Sequence, residues 1–211
     1  MSMLPCDLEP LYSLLACVTD GENAEKISKS LLDTFGSMDR IFSSHISELK
    51  REIPGTSEFK SKIAFLLETA KAITRRCRME DFRVGDIYNE IPVVKFLLSL
   101  FLFEPMEMVY MLFFDDKMRY IGMELVSSGT VNTSHITVRR ALELSVRHNA
   151  SNIVLAHNHP LGKPIPSADD ISTTHNLASA FREIGLRLLE HYVIAGASFN
   201  KILSLATGNL R

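Results

Sequence analysis

The stretch LAHNHPLGKPIPSADD, from Leu155 to Asp170, holds the densest group of chemically active side chains in the sequence. It includes the end of an apolar run, NIVLA, which predicts a buried strand that stops at Pro160. Because residues two apart in a strand point to the same side, His157 and His159 should present both imidazoles to one side. Imidazole is a common zinc ligand, and catalytic zinc usually takes three protein ligands and a water. The stretch therefore predicts part of a metal site.

Asp170 is the leading candidate for the third ligand. The loop PLGKPIP should turn the chain so that the next helix begins beside the histidines, and its prolines lower the entropic cost of holding that geometry. Ser167-x-x-Asp170 is also a helix N-terminal capping pattern, which needs no metal. A lone histidine near a strand end is more often structural than a ligand, and HxH alone is a weak signal. The conjunction of HxH, a turn-rich spacer and SxxD favours the metal site.

The segments around this stretch predict an α+β fold. Two runs rich in bulky, β-branched or aromatic residues, EMVYMLFFD and YIGMELVSSG, are joined by DDKMR and predict a hairpin. TVRRALELSVRHN and SADDISTTHNLASAFREIG predict helices, and LRLLEHYVIAG predicts another strand. VVKFLLSLFLF is about half the length that spans a bilayer and predicts a buried helix that Pro105 ends or kinks. No membrane association is expected.

The N-terminal part predicts helices only. LEPLYSLLACV, NAEKISKSLLDTF and FKSKIAFLLETAKAITRRC space apolar residues three and four apart, GSMDRIFSS predicts a loop leading into a short helix, and IPGTSE predicts a turn. RMEDFRVGDIYNEIP then breaks the pattern with charge, a glycine and a proline. The expected organisation is a helical domain at residues 1–80, a linker at 81–90 and an α+β domain at 91–211.

Composition narrows the classes of protein. A net charge of −2 over 211 residues gives no polycationic footprint for nucleic acid. Cys6, Cys17 and Cys77 are odd in number and lack metal-ligand spacing, so they predict reduced thiols in a cytoplasmic protein. The start, MSMLPCDLEP, has acids where a signal peptide needs basic residues.

A family resemblance extends this interpretation. His157-x-His159-Pro160, followed by Ser167-x-x-Asp170, matches the JAMM signature H-x-H-x7-S-x-x-D of MPN-domain metalloproteases. More closely, HNHPLGKPIPSADD resembles the HNHPSG…PS..D segment of the bacterial RadC family, and EMVYMLFFD, SSGT and EHYVIAG resemble its other landmarks in order and spacing. The resemblance covers residues 91–211 and implies an MPN/JAMM domain with a mixed, curved β-sheet flanked by helices.

The resemblance also implies a role for each site residue. His157, His159 and Asp170 would bind Zn²⁺, with water in the fourth position. Glu107, in EMVYMLFFD, stands where the JAMM pattern has a glutamate, and it would take a proton from that water and hand it to the leaving amine. The hydroxyl of Ser167 would donate to the developing oxyanion.

Other acids and histidines have competing interpretations. Glu124, in GMELVSSG, is a rival general base, with a surface or partner role as its alternative. His191, in LLEHYVIAG, is expected either to support the site from a neighbouring strand or to make a structural hydrogen bond. Exposed positions are expected for His135, His148 and His175.

The chain departs from the RadC pattern at Leu161, Glu190, Val138 and Arg140, none of which is a predicted ligand. A weaker likeness to a helix-hairpin-helix module covers residues 1–80, but its Gly-x-Gly is absent and Glu58 puts negative charge near that place. A helix-hairpin-helix grips DNA phosphate through backbone N–H groups, so the loss argues against DNA binding. A modest basic edge remains, which a solvated helix face explains equally well; it comprises Lys60, Lys62, Arg75, Arg76 and Arg78.

Two functions follow. The favoured one is a zinc-dependent hydrolase that cleaves an amide, peptide or isopeptide bond in a protein or peptide substrate. The alternative is a non-catalytic nucleic-acid- or protein-binding module, in a family whose label associates it with DNA repair, with a structural metal. Nucleic acid has little support as a partner, and a homo-oligomer is compatible with the sequence.

Overall fold

The computed structural model divides the chain into two compact units, Met1–Arg76 and Cys77–Arg211. The residues that it describes are 7–78, 82–129, 136–160 and 162–204. The predictions for Cys6, His135 and Leu161 fall outside these ranges, and the side chains of Cys77 and Arg78 are not described. Cys17 is exposed with a free thiol.

The first unit is helical in its described part. Apolar residues at helical spacing form its core, including Leu11, Leu15, Ile27 and Leu31. Asp20 accepts a hydrogen bond from the Asn23 N–H and so caps the second helix. The helices are α1 (Leu8–Leu15), α2 (Gly21–Phe35), α3 (Met38–Ser43), α4 (Ile46–Glu52) and α5 (Ser57–Arg78).

The turn between α4 and α5 is the place of the proposed hairpin. Gly55 has φ 108° there, a left-handed conformation that favours glycine. Glu58 lies in the first turn of α5, and its carboxylate is 3.0 Å from Lys62 Nζ. One of the five basic residues of the proposed edge is therefore paired with the acid that replaces the hairpin glycines.

The second unit is a mixed sheet covered by helices, which confirms the predicted α+β fold. The strand order is β2-β1-β3-β4-β5; the β3–β4 pair is parallel and the other pairs are antiparallel. The strands are β1 (Glu107–Phe114), β2 (Tyr120–Gly129), β3 (Asn152–Asn158), β4 (Arg187–Ala195) and β5 (Ser198–Lys201). The helices are α6 (Glu90–Leu100), α7 (Val138–Arg147) and α8 (Ala168–Glu183).

Alternate residues of the strands divide between two cores. Leu112, Val154 and Tyr192 pack with apolar residues of α6 on one face. Phe113 and Leu155 pack with residues of α7 and α8 on the other. Strand β3 is therefore central and buried along its whole length, which makes its carboxyl end a rigid place from which to present side chains.

Most of the stretch expected to be a linker packs against the second unit. Phe82 is buried against the rings of Phe96 and Tyr120. The Gly85 N–H donates to the Tyr120 carbonyl at 2.8 Å, and the Tyr88 N–H donates to the Met118 carbonyl at 2.7 Å. Aromatic burial and backbone pairing thus tie these residues of the predicted linker to the second unit.

Helix α6 ends at Leu100, and Pro105 follows in the loop that leads to β1. Its residues Val93 and Leu97 are fully buried, as predicted for this apolar run. Among the described residues, no helix combines the length and the apolar character needed to cross a bilayer.

Candidate metal centre

The predicted site residues meet where three elements end or begin. His157 lies near the carboxyl end of β3, paired with Val109 of the antiparallel neighbour β1. This pairing places Glu107, the first residue of β1, beside the end of β3. One ligand atom from each of Glu107, His157 and His159 lies within 4.8 Å of the others, so this group can hold a metal ion.

Asp170 completes the cluster from helix α8. Its Oδ1 lies 3.5 Å from His157 Nε2, and its Oδ2 lies 3.8 Å from His159 Nε2. The two Nε2 atoms are 3.1 Å apart. The structure therefore brings together the three predicted ligands and the predicted base, although they lie 63 positions apart in the chain at the extremes (Glu107 to Asp170).

The capping interpretation of Ser167-x-x-Asp170 also holds. Ser167 caps α8, and its N–H and hydroxyl donate to Asp170 Oδ2 at 2.8 and 2.6 Å. In return, the Asp170 N–H donates to Ser167 Oγ at 3.1 Å. The capping box uses one carboxylate oxygen and orients the other, Oδ1, toward His157. Capping and metal binding are thus compatible at this residue.

The Asp170 carboxylate is strongly held in its charged form. Burial pushes its pKa upward, but the hydrogen-bonding and electrostatic interactions with His157, together with the Ser167 bonds, outweigh burial and hold the pKa well below its usual range. An ionised carboxylate is the form that binds a cation. Asp170 therefore presents an ionised carboxylate to the two histidines.

The ring of His159 is fixed by a backbone carbonyl. Its Nδ1 lies 3.0 Å from the Lys163 carbonyl oxygen, which can only accept, so Nδ1 carries the proton. In the neutral ring the lone pair is then on Nε2, which faces His157 and Asp170. Imidazole nitrogens beside carboxylate oxygens form the donor set that zinc prefers, so the residues present fit this ion.

His191 supports the site from the neighbouring strand β4. Its Nε2 lies 2.8 Å from His157 Nδ1, and the ring is 4% exposed. Burial, together with the electrostatic interaction with His157, lowers the pKa of His191 well below its usual range, which favours the neutral ring. The sequence allowed a supporting or a structural role for His191, and the contact with His157 favours support.

Asn158, the residue between the two histidines, bonds to the backbone on both sides of Glu107. Its side chain accepts from the Met108 N–H at 2.8 Å and donates to the Met106 carbonyl at 3.0 Å. The side chain is buried, so these bonds are shielded from water. Sequence reasoning missed this role because Asn158 counted only as the spacer of HxH; a polar residue at the end of a predicted buried strand was the available signal.

Glu124, the rival base, lies elsewhere on the sheet. It pairs with Met111 across β1 and β2, and its carboxylate bonds to Arg147 at 2.5 Å and to His148 Nε2 at 3.1 Å. The His148 hydrogen bond and the Arg147 charge lower the pKa of Glu124. His148 was expected to be exposed, but its ring stacks on Phe113 at 4.2 Å and is only partly exposed.

Glu190, a departure from the family pattern, has a structural place. Its buried carboxylate accepts from the N–H groups of His191 and Leu203 at 2.8 Å and from the N–H and hydroxyl of Ser204. It fastens the segment after β5 to β4, beside the strand position that holds His191. His175 is exposed on α8, as predicted.

Comparison with known proteins agrees with this geometry. Residues 87–210 match the model of the RadC-like JAB domain. A UPF0758 protein of Janthinobacterium sp. (strain Marseille) is 33% identical over 90% of this chain and 84% of its own length. Similar proteins of Herminiimonas arsenicoxydans (32%; 90% and 84%) and Cupriavidus necator (31%; 93% and 85%) carry the same family name. The chain therefore belongs to the RadC family, as its HNHP and PSADD segments predicted.

Proposed function

We propose that this protein is a zinc-dependent hydrolase of the JAMM type that cleaves an amide, peptide or isopeptide bond. The observation that carries the proposal is the convergence of His157 Nε2, His159 Nε2 and Asp170 Oδ1 beside the carboxylate of Glu107. Three protein ligands and an adjacent acid form the arrangement of a catalytic, open zinc site rather than of a closed structural one.

His157, His159 and Asp170 would hold the ion. When bound there, Zn²⁺ would supply a Lewis acid and bring the pKa of a water down to about 7. The residues need little reorganisation, because the capping box already orients Asp170 and the Lys163 carbonyl already orients His159.

Glu107 would act as the general base and acid. Its carboxylate is close enough to both histidines to reach a water held between them, to take its proton and to return that proton to the leaving amine. Asn158 anchors the backbone on both sides of Glu107, which supports a fixed position for this side chain.

Ser167 would donate to the oxyanion that develops on the scissile carbonyl. In the resting arrangement its hydroxyl proton is donated to Asp170 Oδ2. The role therefore requires the hydroxyl to rotate from Asp170 to the substrate oxygen as that oxygen gains charge. The Ser167 N–H bond to Asp170 stays in place during this exchange and keeps the carboxylate oriented.

The substrate would be a protein or peptide, the protein would work in the cytoplasm, and residues 1–80 would form a separate helical domain. The competing function, a binding module with a structural metal, differs in one respect: it does not need Glu107 as a base.

Zinc content tests the proposal first. Purified protein should contain about one zinc per chain by plasma mass spectrometry, and His157→Ala should remove it. His175→Ala is the matched control, because His175 is exposed on α8 and should leave the zinc content unchanged. Stoichiometric zinc in the His157→Ala protein, or none in the wild type after zinc loading, would refute the site.

A further inference from the structure

We propose that Thr174 and His191 are positioning residues of the metal centre. They form a hydrogen-bond relay that runs from the Asp170 carbonyl to the His157 ring and fixes His157 in the tautomer whose Nε2 lone pair faces the other ligands. The proposal deepens the function proposed above and rests on it for the metal role of His157 and Asp170.

The relay has three short links. Thr174 Oγ1 lies 2.6 Å from the Asp170 carbonyl oxygen, one helical turn earlier in α8. The same Oγ1 lies 2.6 Å from His191 Nδ1, and His191 Nε2 lies 2.8 Å from His157 Nδ1. Thr174 is 0%, His157 1% and His191 4% exposed, so water does not compete for these atoms.

The direction of the relay follows from counting protons. A backbone carbonyl can only accept, so the single proton of the Thr174 hydroxyl goes to Asp170. Thr174 Oγ1 must then accept from His191, which places the proton of the neutral His191 ring on Nδ1. His191 Nε2 is left as an acceptor and receives the Nδ1 proton of His157.

The consequence is a lone pair on His157 Nε2. This atom is 3.1 Å from His159 Nε2 and 3.5 Å from Asp170 Oδ1, and the Lys163 carbonyl independently leaves a lone pair on His159 Nε2. Two lone pairs and a carboxylate repel one another when left alone, whereas a cation between them satisfies all three. The relay therefore builds a site that favours a cation.

Reversing the relay would spoil the ligand. If His191 carried its proton on Nε2, it would donate to His157 Nδ1 and force the His157 proton onto Nε2, where it blocks metal binding. The Thr174 hydroxyl would then turn from the Asp170 carbonyl to His191 Nδ1. The bond between the Thr174 hydroxyl and the Asp170 carbonyl opposes this reversal. A hydroxyl on helix α8 thereby determines the tautomer of His157 on strand β3.

The relay also joins two ligands of the same centre. It starts at the backbone of Asp170 on α8 and ends at the ring of His157 on β3, by way of β4. A shift of α8 relative to the sheet would therefore stretch the relay and the ligand set together. This link accounts for a buried hydroxyl and a buried imidazole between a helix and a sheet that also pack through apolar residues.

Thr174→Val tests the relay, because it removes the hydroxyl and keeps the shape of the side chain. His191 Nδ1 would lose its acceptor, so both rings should reverse. Long-range ¹H–¹⁵N spectra of metal-free protein at neutral pH should show His157 protonated at Nδ1 in the wild type and at Nε2 in the variant. Zn²⁺ affinity, measured by competition with a chromophoric chelator, should fall about 10- to 100-fold.

Two variants separate positioning from packing. Thr174→Ser keeps the hydroxyl and should retain both the tautomers and the zinc affinity. Ser145→Ala removes another buried hydroxyl that bonds a carbonyl one turn earlier, at 2.8 Å in α7, and this hydroxyl is not a link of the relay. It should destabilise the fold as much as Thr174→Val while leaving zinc affinity unchanged.

Several results would overturn the relay. Wild-type His157 protonated at Nε2 would do so without any variant, which covers the case in which Thr174→Val does not fold. Unchanged tautomers and a zinc affinity within about twofold of wild type in Thr174→Val would also do so. If wild-type protein binds no zinc but the tautomers reverse as expected, the proposed function fails and the relay is supported.

Discussion

The sheet of the second unit carries two groups that combine histidine with glutamate, and they differ in how their charges are balanced. Glu107, His157 and His159 converge near the start of β1 and the end of β3, and among the described residues the ion pairs of the adjoining Asp170 are with these histidines rather than with a Lys or Arg. On β2, the Glu124 carboxylate is bonded to Arg147 and to His148. Under the proposed function a bound cation would balance the first group, whereas the second already contains the Arg147 guanidinium.

Burial separates the two groups further. The His157 side chain is 2% exposed, whereas the Glu124 and Arg147 side chains are 34% and 56% exposed. Exposed ion pairs are screened by water and contribute little, whereas an acceptor on a buried ring such as His157 is screened much less. The comparison teaches that residue type alone does not mark a site. The charge balance of the group and the burial of its central ring distinguish the two.

The largest contrast between the groups should appear in the rate of hydrolysis. Glu107→Gln removes the proposed base and should lower kcat by about 10²- to 10⁴-fold while zinc content stays at the wild-type level. Glu124→Gln, the matched change in the other group, should leave the rate unchanged. New peptide termini in a digest of a proteome-derived peptide library, detected by mass spectrometry, provide the measurement.

An equal rate in Glu107→Gln and wild type, with zinc retained in both, would favour the binding-module alternative. A loss of rate in Glu124→Gln instead would assign the role of general base to Glu124 on β2 and refute that role for Glu107.

The local chemistry of the site was predictable because it is encoded within a short stretch. The HxH spacing follows from the two-residue period of a strand, and the SxxD pattern places Asp170 in the first turn of a helix. The hairpin, the buried strand and the helices around them were predictable for the same reason, since their apolar periodicity is local.

What the sequence did not reveal depends on contacts between distant segments. Thr174 and Asn158 make side-chain bonds to residues 17 and 50 positions away, and the bond that favours one of the two roles expected for His191 spans 34 positions. No local period reports such bonds. The linker expectation at 81–90 did not foresee the packing of Phe82 for the same reason, because the rings that bury it lie on α6 and β2.

Zinc should stabilise the folded protein by binding the group around His157 and His159, and not the group around Glu124. At a free concentration 100 times Kd, a ligand that binds only the native state raises the free energy of unfolding by about 2.7 kcal/mol. Thermal unfolding of metal-free protein should therefore shift upward on zinc addition, and removal with a chelator should reverse the shift. His159→Ala should abolish the response, and His148→Ala should keep it. A full shift in His159→Ala would contradict the ligand set.

Loss of the two Asn158 side-chain bonds to the backbone on either side of Glu107 should have a slightly smaller effect on stability. Asn158→Ala leaves the Met108 N–H and the Met106 carbonyl without their buried partner, at a cost of about 1–3 kcal/mol. Denaturant unfolding measures this cost. Because these two bonds hold the backbone beside Glu107 and not the side chains of the proposed metal ligands, zinc affinity should stay near wild type while the hydrolytic rate falls. A variant with wild-type rate would show that Glu107 needs no such support.

The smallest effect on stability should come from a change in the group of Glu124, Arg147 and His148. Glu124→Gln weakens an exposed pair with Arg147, and such pairs contribute about 0.2–1 kcal/mol. The difference in unfolding free energy between this variant and wild type should shrink as salt is raised toward 1 M, where the screening length falls to about 3 Å. A cost that persists at high salt would mean that the stacked His148 ring, rather than the Arg147 charge, carries the interaction, since His148 is the more sheltered partner of Glu124.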